Sequence, residues 1–178
     1  MKALKRIIIG TILVFSIGVV VFLGLSLYAY SNLKYYSVYY AQQMPHKEGT
    51  EPDLVMLIEN MGSIYTPKIE GIRYDNDGRN FIENSTNLTG KPTNFSEFDG
   101  GYGYSDKNDV SYKFDKNFEL EWAIDKDYKK INLATVDEKK IKEEIRETVQ
   151  PVFDVQSKPL INLQWLFNKK YQDRFNER

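Results

Sequence analysis

The side chains that most often carry out catalysis are sparse in this chain. It has one histidine, His46, and no cysteine, which argues against Ser-His-Asp and Cys-His arrangements and against histidine or thiolate metal sites. Asp75-Asn76-Asp77-Gly78 begins like a calcium loop, but its glycine stands at position 4 instead of 6, and Arg79 takes position 5. That spacing favours a turn. We expect no metal and no other cofactor.

Two carboxylates, Glu119 and Glu121, fall on one face of a predicted strand. Glycosidases use such a pair, but only across a substrate cleft, and this segment does not indicate a cleft. A solvated sheet surface, on which Lys113 pairs with one glutamate, is the better interpretation. We therefore expect a protein that is not an enzyme. A hydrolase would need these acidic residues to cluster in a pocket.

The segment Asp99–Asp106, DGGYGYSD, is rich in glycine but lacks the lysine of a phosphate loop, and its acidic residues would repel phosphate. Two interpretations stay open. It is either a mobile loop that offers Tyr102 and Tyr104 to a protein partner, since tyrosine gives contact area at low entropy cost, or an aromatic turn packed on the sheet. The candidate partner-binding residues are thus Tyr102, Tyr104, Glu119 and Glu121.

The charge balance limits the classes of partner. The 178 residues include 24 basic and 25 acidic ones. Lys2, Lys5 and Arg6 lie at the start, so the remainder has 21 basic against 25 acidic residues, a net charge of −4. That balance argues against nucleic acid and against anionic lipid headgroups as partners of the domain. It would suit a basic protein partner, but it is also ordinary for solubility, which is the favoured interpretation.

All these residues follow one long apolar stretch, Ile7–Tyr30, of 24 residues without a charge. As a helix it would span about 36 Å, enough for a hydrocarbon core of roughly 30 Å. The basic residues before it should stay in the cytoplasm. We predict a single-pass cell-membrane protein with its C-terminal domain outside. Its anchor residues include Ile7, Phe15, Phe22, Tyr28 and Tyr30.

A cleaved secretory signal is the alternative for this stretch. Ala29-Tyr30-Ser31 could serve as a cleavage site, but signal cores run to about 7–15 residues, which is much shorter. Tyrosines also crowd the outer boundary and continue to Tyr40, as expected at a lipid interface followed by a longer helix. We therefore assign residues 1–44 to a cytoplasmic basic start, the transmembrane anchor and an aromatic juxtamembrane segment, and residues 45–178 to an extracytoplasmic domain.

The domain is predicted to have an α+β fold with an antiparallel β-meander and two or three helices. Alternating side chains predict a hairpin from Val110 to Ile124, with Leu120, Trp122 and Ile124 facing the core, and a third strand begins at Ile131. Glu83–Asp109 has the composition of a long loop with short strands at most. No internal repeat is recognised.

Three helices are predicted around this sheet. The first is Leu54–Met61, capped by Asp53, and the second starts at the capping box of Thr135 and ends near Gln150, before Pro151. The terminal helix is predicted to be capped by Asn162. Its core face has an apolar residue at every fourth position: Leu163, Phe167, Tyr171 and Phe175. Trp165 and Leu166 widen that face.

The layout resembles the TipC-like immunity proteins of Gram-positive bacteria, with a short basic start, one membrane helix and a small outward-facing domain with an antiparallel sheet. The residues that carry the resemblance are the segment Leu160–Phe167, LINLQWLF, and the hairpin Val110–Ile124. It implies that the protein protects its producer by occluding a toxin that acts outside the cytoplasm. It carries over no catalytic residue. The alternative is an accessory or structural subunit of a cell-envelope complex.

Overall fold

The computed structural model describes residues 2–75, 79–86 and 91–176 of the chain, and in the first helix it describes side chains from Ile8 onward. Two sequence predictions fall outside that description at least in part. One is the anchor residue Ile7, whose side chain is not described. The other is the turn at Asp75–Gly78, of which only the first residue is described.

Helix α1 runs from Lys2 to Tyr35. Its segment Ile8–Tyr35 has 28 residues and a mean hydropathy of 2.7, and none of its apolar window is buried in the protein. It is therefore long and apolar enough to cross a membrane. The chain leaves helical geometry at Tyr36, with φ −102° and ψ 21°, and continues as α2, Ser37–Gln43. The predicted extension beyond the apolar stretch is confirmed, with this one interruption.

Among the described residues, six antiparallel strands follow one another in chain order across a single sheet. They are β1 Ile72–Asp75, β2 Phe81–Asn84, β3 Thr93–Phe98, β4 Gly101–Ser105, β5 Ser111–Phe114 and β6 Leu120–Ile124. The sheet and the helices confirm the α+β class. The meander is twice as long as the three strands expected, since β1 to β4 precede the predicted hairpin.

The prediction of a long loop at Glu83–Asp109 is wrong, because this stretch includes two regular strands of the sheet, β3 and β4. These strands pair with Phe95 opposite Tyr104 and Ser96 opposite Gly103. Large aromatic side chains therefore alternate with serine and glycine, and each set occupies one face of the sheet. The turn between the strands is Asp99-Gly100, where both residues have positive φ, 43° and 73°.

The hairpin of β5 and β6 is confirmed, but the predicted inward face of β6 is wrong. Tyr112 pairs with Ala123 and Lys113 with Trp122, whereas the next pair is Phe114 with Leu120. A β-bulge takes up the extra residue, Glu121. Because strand side chains alternate with period two, the bulge reverses the faces beyond it. Ala123 is buried with Tyr112, and Trp122 turns to the opposite face.

The predicted third strand of this meander is only an isolated bridge between Ile124 and Lys130. A 3-10 helix, Leu133–Thr135, comes next. Three turns in this region share one local geometry that the sequence analysis did not recognise as a repeat. In each, the Oδ1 atom of an aspartate accepts hydrogen bonds from the backbone N–H groups two and four residues ahead; the aspartates are Asp106, Asp115 and Asp125.

The remaining helices are α3 Pro52–Glu59, α4 Glu138–Asp154 and α5 Gln164–Asn176. Helix α3 begins one residue before the predicted cap Asp53. Helix α4 is capped by Asp137, not Thr135, because the Asp137 side chain accepts the Lys140 N–H at 3.1 Å. It also continues through Pro151, which lies inside it. Asn162 accepts the Gln164 N–H at 2.8 Å, which agrees with its predicted capping role.

One hydrophobic core joins α2, α3, α4, α5 and the inner face of the sheet. Each of the last three helices contributes fully buried side chains to this core: Leu54 and Ile58 of α3, Ile145 and Val149 of α4, and Phe167 of α5. Helix α2, assigned from sequence to the juxtamembrane segment, contributes Ser37, Val38, Tyr40 and Ala41 as buried residues. The segment that follows α1 is therefore packed directly on the domain. Trp165 is an exception to the predicted core face of α5, because it is exposed.

Candidate functional site: the open face of the sheet

The two faces of the sheet have different environments. On the inner face, α4 is joined to β2 and β3, because Asn84 Nδ2 donates to the Thr148 carbonyl and Thr148 Oγ1 bonds Thr93 Oγ1, each at 2.9 Å. The other face, here called the open face, carries side chains that remain half-buried. It is made by Phe81, Asn94, Ser96, Phe98, Gly103, Ser105, Ser111, Trp122 and Ile124, which the strand register places side by side.

A groove of about 350 Å³ runs across the centre of the open face. Its floor is made of small residues, since Ser96 lies opposite Gly103 and Ser105 opposite Ser111. The two hydroxyls of the latter pair are 3.2 Å apart. Larger side chains, Phe98, Trp122 and Ile124, also line the groove. A floor without bulky side chains lets a partner approach the strands closely.

Aromatic rings and arginines lie together on this face. The rings of Phe98 and Trp122 meet edge to face with centroids 6.1 Å apart. The Arg79 guanidinium carbon lies 5.1 Å from the Phe98 centroid, and that of Arg73 lies 5.3 Å from the Phe81 centroid. Aromatic and arginine side chains are the residues most enriched at the centres of protein interfaces.

Lys113 also belongs to the open face but is buried there. Its ammonium donates to the Phe114 carbonyl at 2.9 Å and lies 3.3 Å from the Glu121 carboxylate. The predicted pairing of Lys113 with one of the two strand glutamates is therefore confirmed. Glu121 is exposed in the bulge, and Glu119 is exposed in the turn that precedes β6. The two carboxylates do not share a strand face as the sequence analysis expected, since only Glu121 belongs to β6.

The structure corrects the interpretation of Tyr102 and Tyr104 as residues of a mobile loop. Both belong to β4, and each side chain is only 2% exposed on the inner face. Their rings pack in the core instead of offering contact area to a partner. The alternative, aromatic side chains packed on the sheet, agrees with the structure. Of the four candidate partner-binding residues, Glu119 and Glu121 are thus the two at the surface.

Tyr102 has a structural role at the junction of three elements. Its hydroxyl donates to Glu59 Oε1 at 2.7 Å and accepts from Arg174 Nη2 at 2.9 Å. Arg174 also binds both carboxylate oxygens of Glu59, at 2.9 and 2.7 Å. Burial raises the pKa of Tyr102 and of Tyr104 well above that of free tyrosine. Both hydroxyls therefore stay protonated, and that of Tyr102 links α3, β4 and α5.

The open-face residues of β3 and β4 were not predicted from the sequence. A signal was present, since Asn94, Ser96 and Phe98 alternate with Phe95 and Glu97. It was obscured because serine, asparagine and glycine are also the usual residues of loops. Trp122 was recognised but assigned to the wrong face, because a one-residue bulge has no clear sequence signature.

Comparisons of the chain with protein-family models, with curated proteins and with solved structures found no match. A proposal for the function of this chain therefore rests on its fold and on the geometry of the open face.

Proposed function

We propose that this chain is a single-pass membrane protein whose domain lies outside the cytoplasm and occludes a protein partner through the open face. The partner is a secreted bacterial toxin, so that the protein acts as an immunity protein of the cell that produces it. It needs no catalytic group and no cofactor for this role, because occlusion requires only a complementary surface.

The observation that carries this proposal is the composition of the open face. Phe98 and Trp122 remain half-buried beside a groove whose floor is made of serine and glycine. A side chain of the partner that enters the groove would replace water on these rings. Burial of apolar area contributes about 25 cal/mol per Å² to the free energy of association. A few such aromatic contacts supply most of the binding energy at most interfaces.

The membrane position is supported by α1. The apolar window within Ile8–Tyr35 has no buried residue, and side chains such as Phe15 and Phe22 are exposed to the surroundings. Lipid is the environment in which that exposure is favourable. Lys2, Lys5 and Arg6 precede the segment, and the bias of basic residues to the inner side keeps this end in the cytoplasm. The domain then follows on the outer side.

The function is tested by growth competition. A strain that lacks the gene is grown beside toxin-producing siblings, and it is complemented with the wild type, with Ser96→Arg or with Gln150→Arg. Ser96→Arg places a long cation in the floor of the groove, whereas Gln150 is exposed on α4, away from the sheet's open face. Both changes add one positive charge.

We expect the wild type and Gln150→Arg to restore survival, and Ser96→Arg to fail although it reaches the membrane in equal amount. Equal protection by both variants would overturn the role of the open face. An unrelated membrane anchor in place of α1 tests the remaining alternative, assembly of an envelope complex through α1. Occlusion survives that exchange and assembly through α1 does not.

A further inference from the structure

Three large apolar side chains are exposed together near the end of the chain. Leu160 and Ile161, in the loop between α4 and α5, are 99% and 55% exposed, and Trp165 in the first turn of α5 is 66% exposed. Clusters of this kind on a soluble surface mark a contact with another apolar surface. Elsewhere in the described domain the exposed large apolar side chains are Tyr65, Tyr128 and Leu133, and no two of them are adjacent in the sequence as Leu160 and Ile161 are.

Hydrogen bonds hold this loop beside the end of the membrane helix. Asn32 Nδ2 of α1 donates to the Ile161 carbonyl at 3.4 Å. The Tyr40 hydroxyl donates to Asn32 Oδ1 at 2.7 Å and accepts the Leu163 N–H at 3.0 Å. Gln164 Nε2 donates to the Tyr40 carbonyl at 2.8 Å. Tyr40 is fully buried and Asn32 is nearly so, so the loop has a defined position relative to α1.

That position corresponds to the headgroup layer of the bilayer. At about 1.5 Å per residue, a hydrocarbon core of roughly 30 Å that begins at Ile8 ends near Tyr28. Asn32 lies four residues further along α1, about 6 Å beyond that boundary. The polar layer on each side of a bilayer is roughly 5–8 Å thick. Ile161, bonded to Asn32, is therefore at the level of the headgroups.

The charges around the loop suit a lipid surface. No acidic residue occurs between Asp154 and Asp173, whereas Lys158, Lys169 and Lys170 do. The Lys170 ammonium lies 5.7 Å from the centroid of Tyr30, and that of Lys34 lies 4.9 Å from the same ring. Lysines of α1 and α5 thus meet at the depth where lipid phosphates lie. The domain is acidic as a whole, but this edge of it is basic.

We propose that Leu160, Ile161 and Trp165 enter the outer leaflet at the boundary of headgroups and acyl chains and form a second membrane contact. This inference rests on the proposed membrane span of α1. Because hydrogen bonds fix the loop relative to α1, the domain moves with that helix, and the second contact fixes the tilt of both relative to the bilayer. The open face is then held at a fixed orientation to the membrane surface.

The test is fluorescence quenching in the full-length protein reconstituted into vesicles of phosphatidylcholine and phosphatidylglycerol with brominated acyl chains. The chain has two tryptophans, so Trp122→Phe leaves Trp165 as the reporter and Trp165→Phe leaves Trp122. Interfacial side chains bury about 5–10 Å into the boundary, so we expect about half of the Trp165 emission to be quenched. Trp122, on the open face, should be nearly unaffected. Leu160→Asp should also reduce the quenching of Trp165.

A third reporter separates this inference from the proposed span. Phe15→Trp, in a chain without the two native tryptophans, is strongly quenched if α1 crosses the bilayer. If that reporter is quenched while Trp165 is not, the second contact is wrong and the span stands. If neither is quenched, the span itself is wrong, and the contact fails with it. Equal quenching of Trp165 and Trp122 would also overturn the contact, since it would show no preference for this edge of the domain.

Discussion

The Arg146 guanidinium of α4 donates two hydrogen bonds, 2.6 and 3.1 Å long, to the carboxylate of Asp53 in α3. The same guanidinium also donates to Glu51 at 2.6 Å. The hydrogen bonds to Asp53 raise the pKa of Arg146, so the guanidinium stays protonated and positively charged. Residues 93 positions apart in the sequence are thereby fixed against each other, which holds α3 and α4 on the same side of the sheet.

Arg146→Met should lower the free energy of unfolding by about 2 kcal/mol, because it leaves the buried Asp53 carboxylate without its cation, while Arg146 itself is partly exposed. The measurement is chemical denaturation of the detergent-solubilised protein followed by circular dichroism. Lys140→Met is the control, since the exposed Lys140 ammonium lies 3.8 Å from the Glu144 carboxylate, and its loss should cost less than about 0.5 kcal/mol. Equal losses for the two variants would contradict the importance of the Arg146 contact.

Tyr40→Phe should lower the free energy of unfolding by roughly 1–3 kcal/mol, because it leaves Asn32 Oδ1 and the Leu163 N–H without the hydroxyl they share. It should also speed amide exchange in the loop between α4 and α5, which that hydroxyl holds on α1. Tyr128→Phe removes a hydroxyl from a side chain that is 86% exposed and should change neither quantity. Unchanged exchange at Leu163 in Tyr40→Phe would contradict this prediction.

One substitution should have opposite effects at two turns with the same backbone conformation. Phe118 and Tyr128 both have positive φ, 66° and 61°, a region that asparagine adopts more easily than other residues with a side chain. Tyr128→Asn should therefore stabilise the protein by about 0.5 kcal/mol. Phe118→Asn should destabilise it by roughly 3–5 kcal/mol, since its buried ring stacks on Phe114 at 4.9 Å.

Denaturation of these two variants and the wild type under identical conditions gives both differences. Stabilisation at both positions would show that backbone strain, and not burial, decides the outcome at Phe118. Destabilisation at both would contradict the relief of strain predicted at Tyr128.

The stability of the domain should fall in alkaline solution. Burial raises the pKa of Tyr112 from 10.0 to about 12. A group whose pKa is higher in the folded state contributes stability that is fully present below its unfolded pKa and is lost as the pH rises through the folded value. Unfolding free energies measured between pH 8 and 12 should therefore decline above pH 10. Tyr112→Phe should decline less steeply, and Tyr128→Phe should follow the wild type. Identical slopes in all three proteins would contradict the assignment.

Several elements could be predicted because their sequence signals are local. The apolar composition of α1, the alternation of β5 and the four-residue repeat of α5 each follow from the period of one element. Phe167 and Phe175 are buried as that repeat requires. Helix ends were less accurate. Asp137 competes with Thr135 for the cap of α4, and tertiary packing keeps the helix intact through Pro151.

The candidate site was the least predictable part, because it depends on strand register. Ser96 and Gly103 become neighbours only when β3 and β4 pair, and the same pairing buries Tyr102 and Tyr104. The bulge at Glu121 then decides that Trp122, and not Ala123, reaches the open face. The amino-acid composition of these segments determines neither the strand register nor the position of the bulge.

The sequence by itself determined that the chain has a long apolar N-terminal helix, a domain with an antiparallel sheet, and none of the usual histidine or cysteine chemistry. Those properties follow from composition and from periods of two and 3.6 residues. Only the tertiary structure decided which face of the sheet is open. It also placed the loop at Leu160–Ile161 beside the end of α1. Both depend on contacts between residues distant in the chain, whose energies are settled by packing in three dimensions and not by local pattern.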